Sequence, residues 1–275
     1  MNNEKRIKKL KENKYQELFG VKKETFDEML KELNKAYEEE HKKGGRPSVL
    51  SVLDKLIVML EYYREYRTME HIAFDYDTNK STICDAIHWS ESVLIKSEKF
   101  HLPSKKRLKE DTSIEIIAVD ATEIETERPK KKQKQYYSGK KKKHTIKVQI
   151  IADSETKDIL NIAFTKGRTH DFKLFKDTVP EINEDILIIA DKGYKGIFDI
   201  HFNSLIPVKA SKNHKLTYEE KCFNRSLAKR RIFIEHINRY IKRFKILSSR
   251  YRNKRRRLAL RTSLICGIYN FQHNL

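Results

Sequence analysis

Three acids stand out by their surroundings. Asp120 interrupts the β-branched run IEIIAVDATEI, Asp191 ends the apolar run DILIIAD, and Glu235 is the only acid between Arg225 and the C-terminus, in a stretch crowded with arginine and lysine. An acid in mid-strand is costly unless something compensates it, and the carboxyl end of a buried strand is where open α/β sheets collect ligands and catalytic groups. Carboxylates are hard oxygen donors suited to Mg²⁺. Three of them, converging from two strands and a helix, can bridge and flank two cations roughly 3.5 to 4 Å apart, which activates a water and relieves charge on the leaving oxygen of a phosphodiester. The chain offers no rival chemistry: it has no nucleophile elbow, no cluster of Cys and His, and no phosphate-binding Gly loop.

Each acid also has a plainer explanation. Asp120 could face water on an edge strand, and Glu235 could form an ordinary helix ion pair with Arg231 or Arg239, worth about 0.3 to 0.5 kcal/mol. Against the second, Arg231, Glu235, Asn238 and Lys242 share one helical face. A carboxylate so flanked can hold a metal while Arg231 and Lys242 grip phosphates.

The elements that must position these acids alternate between strand and helix. In the first run, strand alternation puts Ala118, Asp120 and Thr122 on one face and Ile117, Val119 and Ala121 on the other. KHTIKVQIIAD and DILNIAFTKG, joined by the turn SETK, read as the next two strands of an antiparallel meander. Asp171 then opens the helix DFKLFKDTV as a cap or first-turn acid, a structural role for both it and His170. DILIIAD reads as a central strand buried on both faces, and SLIPVKA as a short strand. After polar residues from Asn213 to Thr217, a long helix runs from about Asn224 to Phe244.

The front third is helical. Phe26, Met29, Leu30 and Leu33 share one stripe, and Ser51 opens a second helix with Leu53, Leu56, Ile57 and Leu60 at helical spacing. The segment from Thr68 to Lys96 divides into a short helix capped by Thr68, a turn across Tyr76 to Thr78, and a longer helix, a helix-turn-helix outline. Its Asn79, Lys80, Ser81 and Thr82 are placed to meet base edges and phosphates if that helix enters a major groove. A plain three-helix bundle explains the same periodicity equally well.

Fifty-nine Lys and Arg against thirty-nine Asp and Glu leave a net charge of +20. Such a field favours a polyanion, nucleic acid first, although a Lys-rich composition also follows from an AT-rich genome. Arg128 to Lys147 carries no acid. It contains Lys140, Lys141, Lys142 and Lys143, with Tyr136 and Tyr137 available to stack on exposed bases, unless it is only a solvated hairpin. The basic tail from Arg250 to Arg261 suits backbone phosphates. No apolar run is of signal-peptide or membrane-spanning length, and the three cysteines lie far apart. A soluble intracellular protein with no membrane partner is expected.

Taken together, VDATEI, YYSGKKKKHTIKVQ, RTHDF, ADKGYKG and RIFIEHINRYIKRFKIL resemble, in order and spacing, bacterial insertion-sequence transposases of the insertion-sequence-5 branch, with their DDE endonuclease domain. The resemblance runs from about Glu115 to the C-terminus. It implies a ribonuclease-H-like α/β fold, a mixed sheet flanked by helices, over residues 111–275, preceded by an all-α domain with a helix-turn-helix over residues 1–110. It also implies that Asp120, Asp191 and Glu235 are the catalytic metal ligands for a pair of Mg²⁺ ions, for which Mn²⁺ can substitute. The expected partners are double-stranded DNA, as terminal inverted repeats and target, and a second copy of the chain, in the bacterial cytoplasm at the nucleoid. The wider group carries a Tyr, Arg, Glu, Lys signature on its last catalytic helix; Arg231, Glu235 and Lys242 match it, and Ala228 stands at the Tyr position. Two other functions fit the same residues: a metal-dependent endonuclease that cuts without joining, and an inactive DNA-binding regulator.

Overall fold

The apolar stripes of the amino-terminal third fold into helices and the alternating segments after them into a sheet, in a computed structural model that describes residues 3–211 and 214–275. The first helices are α1 (Asn3–Lys8), α2 (Glu12–Phe19), α3 (Lys23–His41), α4 (Val52–Arg64), α5 (Met69–Asp75) and α6 (Lys80–Lys96). Local capping sets three of their starts. The side chains of Ser51, Thr68 and Asn79 accept from the backbone N–H of Asp54, His71 and Thr82, at 3.1, 3.2 and 2.9 Å. Phe26, Met29, Leu33, Leu56, Leu60, Ile83 and Ile87 are buried between these helices.

After α7 (Arg107–Glu110) comes the sheet unit, with β1 (Ile116–Glu125), α8 (Gln133–Tyr136), β2 (Tyr137–Ser138), β3 (Lys143–Asp153), β4 (Ile159–Lys166), α9 (Asp171–Thr178), β5 (Leu187–Ala190), β6 (Ser204–Leu205) and α10 (Tyr218–Arg243). The meander is as expected: β3 pairs antiparallel with both β1 and β4, while β5 runs parallel to β1, and β6 parallel to β5. The order across the sheet is β4, β3, β1, β5, β6, with β2 on the first residues of β3. One face packs Ile117, Val119, Ile151, Ile188 and Ala190 against Phe175 of α9 and Tyr194. The other face presents Asp120 to α10. This is the mixed, helix-flanked sheet of a ribonuclease-H-like α/β fold.

Two elements differ from their expected bounds. The segment SLIPVKA pairs only at Ser204 and Leu205, because Pro207 has no N–H to continue a ladder. Helix α10 starts at Tyr218 rather than near Asn224. Thr217 and Glu220 form a reciprocal box there: the Thr217 hydroxyl accepts from the Glu220 N–H at 3.2 Å, and the Glu220 carboxylate accepts from the Thr217 N–H at 2.8 Å. Of the polar residues expected before the helix, Asn213 lies outside the described residues.

The chain ends with α11 (Lys245–Ser248) and α12 (Leu258–His273). By compactness the chain divides into two units that each take up more than one stretch of sequence. Residues up to His101, Ile241–Ser249 and Arg257–Leu275 form the helical unit; Leu102–Tyr240 and Arg250–Arg256 form the sheet unit. The apolar face of α12 accounts for the return. Its Leu264, Ile265 and Ile268 are buried, and at Gly267 a Cβ would lie 1.9 Å from the Phe100 carbonyl oxygen, so only glycine allows that approach. No helix among the described residues is long and apolar enough to cross a membrane.

Candidate active site

Asp120 lies at the middle of β1, opposite Ile150 of β3 and next to the end of β5, where Val119 pairs with Ala190. Its side chain is 22 % exposed, with Arg231 Nη2 at 3.8 Å from one carboxylate oxygen. Asn238 Nδ2 donates to the other at 2.8 Å. Burial pushes the Asp120 carboxyl up to about 6; the Arg231 guanidinium and the Ala121 amide oppose this, while the charges of Asp191 and Asp171 add to it. An edge strand with its acid in water is thereby excluded.

Asp191 follows β5 and turns its carboxylate back to accept from the Gly193 N–H at 2.8 Å. Gly193 is there for lack of space. A Cβ on it would stand 2.9 Å from Asp191 Oδ1 and 3.0 Å from Asp171 Oδ2, so two carboxylates from different elements approach one point. Asp171 also pairs with Lys147 of β3 at 2.6 Å, and Lys147 donates to the Thr169 carbonyl at 2.6 Å. The buried phenol of Tyr194 carries the imprint of the whole group: burial first, then the charges of Asp171, Asp120 and Asp191, raise it well above its ordinary value. Its hydroxyl donates to Gln149 at 3.4 Å.

Asp120 and Asp191 thus lie near enough for their charges to act on each other, and Asp171 stands beside them. The sequence marks Asp171 only as an acid opening a helix, which is the commonest place for a structural one. Glu235 is exposed on α10, and among the described residues no three His, Cys, Asp or Glu side chains are grouped closely enough to hold one metal ion. The residues on either side of Glu235 on its stripe, Arg231 and Asn238, are the ones that reach Asp120. On this stripe a guanidinium and an amide, not the Glu235 carboxylate, take up the Asp120 oxygens.

The donors nevertheless suit a hard cation. Asn238 Oδ1 is buried with no hydrogen-bond partner, beside a carboxylate that burial and two neighbouring acids destabilise when charged. Oxygen donors with unmet negative potential are what Mg²⁺ or Mn²⁺ requires.

The other expected contacts fall in two groups. Asn79, Lys80 and Ser81 are exposed and Thr82 half-buried at the start of α6. The Asn79 side-chain oxygen is committed to the cap, accepting from Ser81 and Thr82 hydroxyls as well, at 2.6 and 3.1 Å. Lys140, Lys141 and Lys142 are exposed in the tight turn between β2 and β3, Lys142 with a left-handed φ of 55°. Lys143 pairs with Glu125 at 2.6 Å, and Lys242 is exposed on the last turn of α10.

Comparison with known proteins agrees with this layout. Residues 119–270 match the family model described as DDE superfamily endonuclease, and residues 48–100 match the helix-turn-helix of DDE superfamily endonuclease. The second match resolves the choice between a helix-turn-helix and a plain bundle. The chain is 43 % identical over 268 residues to the probable transposase for insertion sequence element IS702 of Microchaete diplosiphon, covering 97 % of each protein. Divalent metal dependence comes with the superfamily. The chain belongs to the DDE superfamily of endonucleases and is an insertion-sequence DNA transposase.

Proposed function

We propose that the chain cleaves the ends of its element and joins them to target DNA at one site, formed by Asp120 and Asp191 with Glu235. The observation that carries this reading is Asp120 itself, a mid-strand carboxyl pushed up to about 6 by burial and by its acidic neighbours, facing α10. Two divalent cations, Mg²⁺ or Mn²⁺, supply an activated water and charge relief at the leaving oxygen when bound. Asp120 and Asp191 would hold them from the sheet. Glu235 lies on the helical stripe between Arg231 and Asn238, which together span roughly 10 Å of helix axis. From that stripe Glu235 would add the third carboxylate to the set that holds the cations. Arg231, at 3.8 Å from Asp120, would serve the substrate phosphate. The 3′-hydroxyl freed by cleavage is the nucleophile for joining.

Residues Asn79 to Thr82 read the terminal repeats of double-stranded DNA, Lys140 to Lys143 and Lys242 contact phosphates, and two copies of the chain hold two ends. Replacing Lys80 with Ala is expected to weaken binding to the element's end several-fold, read by fluorescence anisotropy against an unrelated duplex.

End-labelled duplexes carrying the terminal repeats test the chemistry. Asp120→Ala, Asp191→Ala and Glu235→Ala are each expected to lower cleavage at least about 10³-fold, a loss of roughly 4 kcal/mol of transition-state stabilisation, with DNA affinity retained. Full cleavage by any one of them rejects that residue. A separate readout is the melting temperature of the wild-type chain, expected to rise with Mg²⁺ or Mn²⁺ and to respond less in Asp120→Ala. A pre-nicked end that is never joined to target favours an endonuclease without strand transfer.

A further inference from the structure

Two basic stretches far apart in the sequence line one groove of the sheet unit. Residues 127–132 leave the end of β1, and a bridge between Thr126 and Tyr251 holds the second stretch, residues 250–255, alongside. Tyr251 is tied in at both ends of its residue: its N–H donates to the Glu125 carbonyl at 2.8 Å and its hydroxyl to the Arg256 carbonyl at 2.6 Å. The groove encloses about 750 Å³, with Arg128, Lys130, Lys132, Lys166, Lys254 and Arg255 among its lining cations and Glu127 as its one acid.

Its construction is costly. Lys132, Lys254 and Arg255 have left-handed backbone, with φ of 56°, 47° and 69°. Neither Lys nor Arg favours that conformation, and each such residue costs about 1 kcal/mol or more. The Arg255 guanidinium lies over the Tyr136 ring at 4.7 Å from its centre, and Lys166 reaches the same ring at 5.9 Å while donating to Gln135 at 2.6 Å. So many like charges drawn into one concavity raise its potential and oppose folding unless an anion enters.

We infer that this groove seats the phosphodiester backbone of duplex DNA on the flank of the cleavage site. The chain from Asp120 to Glu127 is extended, which at about 3.3 Å per residue places the groove roughly 23 Å along the strand direction from Asp120. Only this spacing rests on Asp120 being the cleavage centre; the assignment of the groove to DNA does not.

Fluorescence anisotropy of the full chain with a labelled mixed-sequence duplex of about 40 base pairs, over a salt series without divalent ions, tests it. Lys132→Gln/Lys254→Gln is expected to bind about tenfold more weakly at ~0.1 M salt, with a log–log salt slope shallower by about 2, since each phosphate contact contributes about 0.9. Lys130→Gln/Lys132→Gln, which leaves the turn at Lys254 intact, is expected to behave alike. The control Lys105→Gln/Lys106→Gln removes the same charge from exposed positions outside the groove and should leave the slope near that of wild type. Wild-type slopes in both folded groove variants, or an equal change in the control, overturn the inference. A wild-type chain that shows the slope difference but cuts no DNA keeps the groove and removes the cleavage centre. A chain that cuts while both groove variants bind as wild type does the reverse.

Discussion

Glu91 of the helical unit and Asp120 of the sheet unit are both acids drawn largely out of water, and they are treated in opposite ways. Glu91 is fully buried, yet Arg261 Nε and Arg257 Nε stand at 2.6 Å from its two oxygens, and the Tyr63 hydroxyl donates to it at 3.1 Å. Asp120 receives one amide at 2.8 Å and one guanidinium at 3.8 Å, and its other charged neighbours, Asp171 and Asp191, carry its own sign. A buried acid matched by two cations is part of the scaffold. A buried acid set among acids lacks the partner that its chemistry brings, and this separates a functional carboxylate from a structural one more surely than burial does.

Breaking the satisfied acid should have the largest effect on stability. Glu91→Ala removes the anion that faces the buried Arg261 and the part-exposed Arg257 and is expected to cost about 3 to 5 kcal/mol in urea unfolding; a cost below about 1 kcal/mol would remove the contrast.

Asp120→Asn is expected to act in the other direction. A carboxyl raised from 3.8 to about 6 on folding costs about 3 kcal/mol once it is ionised in the folded chain. The wild type is free of that penalty below about pH 3.8, loses stability as the pH rises from there through about 6, and bears the full loss only above that. Asp120→Asn should lack this slope, so without divalent ions its melting temperature should exceed that of wild type above pH 6 and approach it near pH 4. A parallel pH dependence in the two chains would show that Asp120 titrates as an ordinary carboxyl.

The smallest effect sharpens the contrast. Asp171 is acidic neighbour to Asp120 but has its own cation in Lys147 at 2.6 Å. Asp171→Asn should cost about 1 to 2 kcal/mol, because Asp171 is part-exposed and the buried Lys147 keeps its bond to the Thr169 carbonyl. It should also lower the pH at which Asp120 titrates, by less than Asp191→Asn does, since Asp191 is the stronger of the two influences. A pH series followed by carboxyl NMR reads both shifts.

Features that depend on neighbours within a few positions are legible in the order of the residues. Ser51, Thr68 and Asn79 announce their helices because a cap acts over three residues. Alternation along IEIIAVDATEI assigns Asp120 its face, and the apolar run before Asp191 places that acid at the end of a central strand. The Thr217 and Glu220 box is equally local, and it moves the start of α10 six residues earlier than apolar periodicity suggests. Tertiary structure alone decided that Asp171 meets Asp191 over Gly193, that Asn238 and Arg231 rather than Glu235 hold Asp120, that residues 250–255 line a groove with residues 127–132, and that α12 returns to the helical unit. Those contacts join residues tens to hundreds of positions apart. Their formation depends on the packing of the whole chain against the entropy of closing long loops, which no local pattern records.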